Sequence, residues 1–408
     1  KNGDENLANV RARAIVNASR PWRRAKAIQL FEQARQAVTL PANEQYLLAS
    51  LYEADRDWAK THLILDALLA RDRNNVQGVA LYARCLIDEG SWAEASLRVN
   101  QLEELVPDRF ETVKLKARIL AGRKQGADVV TCLTDHARRQ PRDLPQAARL
   151  LEELDQPEAA ELLYRDYATR EGPAEKVLPL AAFLGRHDRG PEAMRYCAQA
   201  WGHVNQPVVV VSTALEILSQ ANCSEADFER VLGWLKGLLA KDGQTSLLMT
   251  ALANLHILHH NYGPAEDLLR RVIQADPANA EARNNLAWLL VSKEQPAPGE
   301  ALSQIQQAIT LEGSKADLLD TRAIVYLALH QPTKAVEDLK AAVKQKPALV
   351  LSFHLAQAEW EAGQKDAARR TLKDAQAAGL SANRLPRLER DSYNRFKEIS
   401  KVKGNEKA

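Results

Sequence analysis

The sequence has 408 residues and a nearly balanced charge, with 55 Lys and Arg against 53 Asp and Glu and a formal net charge of +2. This balance excludes the basic excess that marks many proteins of nucleic acid or anionic membrane surfaces. The chain is too long for one compact core, so we expect several domains or a linear stack of repeats. No run of 18 apolar residues is present, so no membrane-spanning segment is predicted.

A helical segment in the N-terminal half returns at a fixed spacing. The interval from Trp58 to Trp92 equals the interval from Pro107 to Pro141. Pro277 follows Pro107 by five such intervals. A fixed period between about 20 and 50 residues indicates a stacked repeat architecture.

Small residues recur at two places within this period, and the pattern resembles the tetratricopeptide repeat (TPR), of a kind common in bacteria. In that family the first helix of a pair, helix A, has a small residue at position 8, and the second, helix B, has alanine at position 20. The position-8 residues are Ala49, Ala83, Ala117, Ala148, Ala181, Ala253, Ala287, Ala323 and Ala356. The position-20 residues are Ala27, Thr61, Ala95, Val129, Ala160, Ala193, Ala265, Ala301, Ala335 and Ala368.

The resemblance implies an all-α fold of about ten or eleven TPR-like helix-turn-helix repeats, stacked into a superhelical solenoid. Antiparallel helices approach to about 8–10 Å only where small side chains lie at the crossing. Thr61 and Val129 are mild departures from this pattern.

The repeat spacing also predicts the organisation of the chain. The interval from Ala193 to Ala265 is slightly longer than two periods, so the repeat between them is irregular. The five predicted regions are an N-terminal array of about six repeats at 1–201, an irregular repeat or bend at 202–243, a C-terminal array of about four repeats at 244–380, a capping helix at 381–400 and a disordered basic tail at 401–408.

The cysteines and the first residue bear on the cellular setting. The four cysteines lie far apart without metal-type spacing, which favours reduced, mostly buried thiols: Cys85, Cys132, Cys197 and Cys223. Such thiols suit a reducing compartment, so we predict a cytoplasmic location. The chain begins with Lys1 rather than Met, so we expect a solenoid portion or processed form of a larger protein.

Catalytic motifs are not found. The sequence has no G-x-S-x-G, no H-E-x-x-H and no Walker-type phosphate loop, so we predict neither an enzyme nor a cofactor. The closest metal-like pattern is His256, His259 and His260, because histidines one helical turn apart can share a metal. No carboxylate or cysteine stands at a matching spacing, so we favour packing and turn roles and predict no metal site.

The resemblance implies which side chains line the groove, since helix A forms the concave wall of TPR proteins. In the N-terminal half these are Arg84, Lys114, Arg118 and Arg149. Arginines in a groove bind carboxylate or phosphate, which predicts an acidic segment of a partner. The alternative is that they pair with acidic residues of the same wall and only solvate it: Asp88, Glu111 and Glu152.

In the C-terminal half the corresponding positions are more aromatic and amide-rich: Asn254, Asn284, Trp288, Asp320, Phe353, Gln357 and Trp360. Aromatic anchors dominate many binding surfaces, and asparagine can hold a peptide backbone. The alternative is that Trp288 and Trp360 turn inward and fill gaps between repeats. The carboxylate clamp of chaperone-binding TPR proteins is not predicted, because its basic positions hold Thr250, Asp317 and Thr321.

These observations favour a non-catalytic protein–protein interaction scaffold that binds a partner protein or peptide in its concave groove. One alternative is an RNA-binding helical-repeat module, although the neutral charge and the lack of repeated base-reading positions count against it. Another is a regulatory or substrate-adaptor arm of an enzyme whose catalytic domain lies outside this chain.

Overall fold

The computed structural model describes residues 7–401 except Gln244, and the side chains of Asp242 and Lys401 are likewise not described. Within this range the chain contains α-helices and short 3-10 helices, and no β-strand. None of these described helices is long and apolar enough to cross a membrane. Residues 402–408 of the predicted basic tail lie outside the described residues.

The chain forms two compact units, Lys1–Arg170 and Glu171–Ala408. The division near 201 and 243 that the repeat spacing predicts rests on register rather than on contacts, and stays a prediction. The described part of unit 1 contains five helix pairs: α1 (Leu7–Ala18) with α2 (Arg24–Ala37), α3 (Ala42–Ala54) with α4 (Trp58–Arg71), α5 (Val76–Asp88) with α6 (Trp92–Leu105), α7 (Phe110–Gly122) with α8 (Gly126–Arg139), and α9 (Leu144–Glu153) with α10 (Pro157–Thr169).

The described part of unit 2 contains six helix pairs and a terminal helix. These are α11 (Leu178–Arg186) with α12 (Gly190–Ala200), α13 (Pro207–Gln220) with α14 (Glu225–Asp242), α15 (Ser246–Leu258) with α16 (Tyr262–Ala275), α17 (Ala280–Ser292) with α18 (Pro298–Glu312), α19 (Ala316–Ala328) with α20 (Pro332–Gln345), α21 (Leu349–Glu361) with α22 (Lys365–Ala377), and lastly α23 (Arg387–Lys401).

The small residues predicted at the helix crossings are all buried, with exposed fractions of 0–1%. The two departures are accommodated in different ways. The Thr61 hydroxyl donates a hydrogen bond of 2.9 Å to the carbonyl of Asp57, so its polar group is satisfied within its own helix. Val129 carries no polar group and is 1% exposed. The predicted burial of small residues at the helix crossings is therefore confirmed.

Ala95→Leu is expected to lower the free energy of unfolding of unit 1 by about 1–3 kcal/mol, because the crossing has no room for a larger side chain. Ala93→Leu, on the exposed side of the same helix, is the matched control and is expected to stay within about 0.5 kcal/mol of the wild type. Urea unfolding followed by circular dichroism compares the two. Equal midpoints for both variants would contradict close packing at Ala95.

The irregular region is a further helix pair, α13 with α14. Ala214 occupies its crossing position and is fully buried. Helix α14 has 18 residues, whereas the second helices of the other described pairs have 11–15, which accounts for the enlarged spacing. Ser224 and Asp227 form a capping box at its start, and Trp234 stacks on Trp201 with ring centroids 4.7 Å apart.

The terminal helix α23 packs on the last repeat. Tyr393 and Phe396 are buried against Phe353 of α21, with ring centroids 5.5 and 6.0 Å from the Phe353 ring. Leu385, just before the helix, is also fully buried in this cluster. The remaining positions of α23 are mostly polar. Its first half contacts the ends of α13 and α15, beyond the last repeat.

Candidate functional site

The arginines predicted to line unit 1 lie on α5, α7 and α9, the first helices of three successive pairs. Arg84 is fully engaged, because its guanidinium donates hydrogen bonds through Nε and Nη2 to both carboxylate oxygens of Glu53 on α3. This hydrogen bonding outweighs burial and raises the pKa of Arg84. Its partner is therefore Glu53, which is not among the three acidic residues of the pairing alternative, and this charge is already neutralised.

The other basic residues of this group are held more loosely. Lys114 lies 3.7 Å from the Glu111 carboxylate, as the pairing alternative predicts. Arg149 lies 3.4 Å from Glu153 and is largely exposed, so this pair contributes about 0–1 kcal/mol. Arg118 has no carboxylate within ion-pair distance among the described side chains, which leaves it and Arg149 the most available of the group.

In unit 2 the first helices of successive pairs, α13, α15, α17, α19 and α21, form a surface that we call the inner groove. Three asparagines are linked across two of these helices. Nδ2 of Asn284 donates to Oδ1 of Asn285 at 3.2 Å, and Nδ2 of Asn285 donates to Oδ1 of Asn254 at 3.0 Å. We call this chain of amides the asparagine ladder. Register brings the residues near each other, since Asn254 and Asn285 lie on the first helices of adjacent pairs, about one helical turn apart within the repeat.

Both ends of the asparagine ladder have unused hydrogen-bonding groups. Oδ1 of Asn284 is buried without a hydrogen-bond partner in the described chain. Asn254 accepts through Oδ1, which leaves its Nδ2 free to donate. One free donor and one free acceptor match the N–H and C=O groups of a peptide backbone.

A cavity of about 430 Å³ opens beside the asparagine ladder. Its apolar walls are Leu215, Ile257, Leu258, Trp288 and Leu388, and its polar lining is Glu216, Ser219, Asn254, Asn284, Asn285 and Thr321. Trp288 is only partly buried, so one part of its ring system packs on the core while the rest lines the cavity. A concave, mostly apolar site with a few amides is the usual form of a ligand site.

The remaining predicted residues of this half form the seat of α23. Phe353 is completely buried, and Trp360 packs edge-on against Phe396 with centroids 5.9 Å apart. Nε2 of Gln357 donates to the Ser392 hydroxyl at 2.9 Å. These three side chains therefore hold the terminal helix, and Phe353 is inaccessible to any partner. Trp360 matches the alternative in which aromatic side chains turn inward.

Asp320 belongs to a buried charge cluster. It accepts a hydrogen bond of 2.7 Å from Nδ1 of His354, whose Nε2 lies 3.5 Å from the carboxylate of Glu389 on α23. Burial by itself would lower the pKa of His354, but the two carboxylates outweigh it and raise that pKa to about 10. His354 also outweighs the effect of burial on Glu389 and lowers the pKa of that carboxyl. A charged imidazole thus joins α19, α21 and α23.

Two arginines of α23 extend along the inner groove and were not predicted from the sequence. Arg387 donates to the carbonyl of Leu258 at 2.6 Å. Arg390 donates to the carbonyl of Gln220 and lies 3.4 Å from the Asp188 carboxylate. The two arginines are spaced one helical turn apart, so they lie on one face of a helix, and this spacing was the only sign of a shared role in the sequence. That signal does not reveal the distant repeats that they contact.

The three clustered histidines have ordinary local contacts. His259 lies 2.9 Å from Glu225, His260 lies 3.1 Å from the Tyr262 hydroxyl, and His256 faces Asn261. Among the described residues no group of three or more His, Cys, Asp or Glu side chains is arranged to hold a metal ion. The four cysteines are free thiols, and burial raises the pKa of Cys197 to about 12.

Comparison with known proteins finds structural likeness only. No protein-family model matches the sequence, and no curated protein matches it. Yeast Tom70 is 16% identical, with a TM-score of 0.37 over 98% of this chain and 96% of that one. A tetratricopeptide repeat protein from Parabacteroides merdae is 14% identical, with a TM-score of 0.44 over 61% and 98%. TTC0263 from Thermus thermophilus is 20% identical, with a TM-score of 0.36 over 41% and 91%.

Likeness at this level says nothing about what the chain binds. The fold class rests instead on the molecule itself, on its paired helices and on the buried small residues at their crossings. The chain has an all-α fold of stacked helix pairs, which is the arrangement that the TPR resemblance implies.

Proposed function

We propose that the chain is a non-catalytic scaffold that binds a segment of a partner protein in the inner groove of unit 2. The observation that supports this most directly is the asparagine ladder beside the apolar cavity, with a free acceptor at Asn284 and a free donor at Asn254. A peptide is the ligand whose backbone offers a complementary donor and acceptor together.

The unmet hydrogen bond of Asn284 gives a ligand an energetic reason to bind here. A buried acceptor without a partner costs about 1–3 kcal/mol. The terminal torsion of asparagine has a broad minimum, so the Asn284 amide can turn toward a ligand N–H, in exchange for its 3.2 Å hydrogen bond to Asn285. Trp288 beside it offers a rigid apolar surface of the kind that dominates binding energy at protein interfaces.

Unit 1 supports a weaker acidic contact. Arg118 and Arg149 remain available there, whereas Arg84 is already paired with Glu53. A nucleic-acid partner is the less favoured candidate, because the formal net charge is only +2.

Asn254→Ala is expected to reduce partner capture at least about fivefold, because it removes the donor end of the asparagine ladder. Asn100→Ala, an exposed asparagine on α6 of unit 1, is the matched control and is expected to capture as the wild type does. The measurement is an affinity capture from cell lysate, with and without nuclease, on the wild type and the two variants, quantified by mass spectrometry. Circular dichroism confirms that the variants are folded.

Two results of this capture would contradict the proposal. Retained proteins that are equally abundant on the wild type and on Asn254→Ala would place binding outside the inner groove. Retention that disappears with nuclease would favour an RNA or DNA ligand, whose binding also falls steeply with salt.

A further inference from the structure

The inner groove of unit 2 already contains one occupant, the chain's own helix α23. We propose that α23 is a fixed wall of the partner site, and that the partner is a short segment that inserts one bulky apolar side chain between Trp288 and Leu388. This inference rests on the proposed function and specifies the partner class for that site.

Buried side chains on both sides fix the groove-facing part of α23. Leu385 is fully buried before it, and Tyr393 and Phe396 are buried after it, all in the cluster that includes Phe353 and Leu372. The segment 387–390 lies between these anchors. Because a continuous helix is rigid over this length, the segment cannot leave the groove while both anchors stay in place.

Polar contacts tie the same segment to two other repeats. Gln220 and Leu258 are the last residues of α13 and α15, where backbone carbonyls lack partners within the helix. Arg390 and Arg387 donate to these two carbonyls, and their positive charge also complements the negative end of each helix dipole. The arginines thus act as C-terminal caps supplied by a distant part of the chain.

Leu388 lies between these two arginines and forms part of the cavity wall. It packs against the core cluster that includes Leu286 and Leu290, and it shares the cavity lining with Trp288. The cavity is therefore bounded by four groove helices and by α23 together. A partner that enters it contacts the terminal helix as well as the repeats.

The space that remains limits what a partner can be. The cavity of about 430 Å³ is near the lower end of the range of about 300–1,000 Å³ for ligand pockets. A helix is about 10–12 Å across, and α23 already occupies that width beside α21. One apolar side chain with its flanking peptide groups fits the cavity, and a second helix along the groove does not.

The test is a selection of random dodecapeptides displayed on phage against the full chain. We expect the enriched peptides to share one bulky apolar residue. We expect both Leu388→Ala and Asn254→Ala to weaken their binding at least about tenfold. Ile399→Ala changes an exposed residue of the same helix and is the matched control, with no change in affinity expected. Hydrogen exchange in α23 should stay the same or slow when a peptide binds.

Two kinds of failure are distinguishable. One result would show that α23 is a competitor that the peptide displaces. In that case the peptides would bind Asn254→Ala more weakly and Arg390→Ala more tightly than the wild type, and they would speed up hydrogen exchange in α23. That result overturns the fixed wall and leaves the groove function standing. A selection that enriches no peptide, or only peptides indifferent to Asn254→Ala, would overturn the groove function and this inference with it.

Discussion

His354→Ala is expected to lower the free energy of unfolding of unit 2 by about 3–5 kcal/mol, because it leaves two carboxylates without their shared cation. Asp320 on α19 and Glu389 on α23 both face this imidazole, which is almost completely buried. His203→Ala changes an exposed histidine of the same unit and is expected to stay within about 0.5 kcal/mol of the wild type. Denaturant unfolding, with hydrogen exchange in α23, makes the comparison.

The same cluster predicts a dependence of stability on pH. The pKa of His354 is about 10 in the folded chain against an ordinary value of 6.5, so its stabilisation is complete below about pH 6.5. It is then lost as the pH rises toward 10, by about 1.4 kcal/mol per pH unit. The pKa of Glu389 is lowered, so its contribution is lost on the acid side, as the pH falls below its ordinary 4.5.

The difference between wild type and His354→Ala isolates this effect from other groups that titrate in the alkaline range. The stability advantage of the wild type should shrink steadily between pH 7 and pH 10. A stability advantage of the wild type that stays constant between pH 7 and pH 10 would mean that His354 titrates alike in the folded and unfolded chains. That result would contradict a charged His354 between the two carboxylates.

Phe353→Ala is expected to cost about 3–5 kcal/mol of unfolding free energy, because it opens a large cavity under α23. The ring is completely buried and contacts both Tyr393 and Phe396. Leu247→Ala removes an exposed apolar side chain of α15 in the same unit and is the matched control. Thermal unfolding and the exchange rates of residues 385–400 measure the effect.

We also expect the loss of stability in Phe353→Ala to begin in one part of unit 2. Exchange should accelerate first in α23, since Phe353 lies in its seat, and α13 and α15 should follow as they lose their arginine caps. Uniform acceleration over the whole of unit 2, or none at all, would contradict the described role of Phe353.

The sequence predicts those contacts that depend on the repeat spacing. The crossing residues recur at a nearly fixed interval in the sequence. The burial of Ala253 and Ala287 therefore follows from counting along the repeats. The asparagine ladder is also compatible with register, because Asn254 and Asn285 lie on the first helices of adjacent pairs, about one helical turn apart within the repeat.

The positions of α23 and of its seat do not follow from register. Arg390 reaches the carbonyl of Gln220 from a distant part of the sequence, and no local pattern encodes a contact of that range. Phe353 and Trp360 were predicted as groove anchors because their helix positions face the groove. Both side chains instead pack against Phe396 of α23. The sequence predicts α23 as a capping helix, but not that its first half contacts the distant ends of α13 and α15. Pairing within unit 1 does not follow from the sequence either, since Arg84 binds Glu53 of the preceding repeat, a residue that the sequence did not single out.

The contacts of α23 also affect how unit 2 folds. In a simple stack each repeat touches only its neighbours, so folding can begin anywhere and the end repeats open first. Arg387 and Arg390 instead join positions that are separated by several repeats along the chain. Such contacts require a long loop to close before they contribute, which slows folding. Unit 2 is therefore complete only when α23 has docked, and its later repeats then cannot open without also releasing α13 and α15.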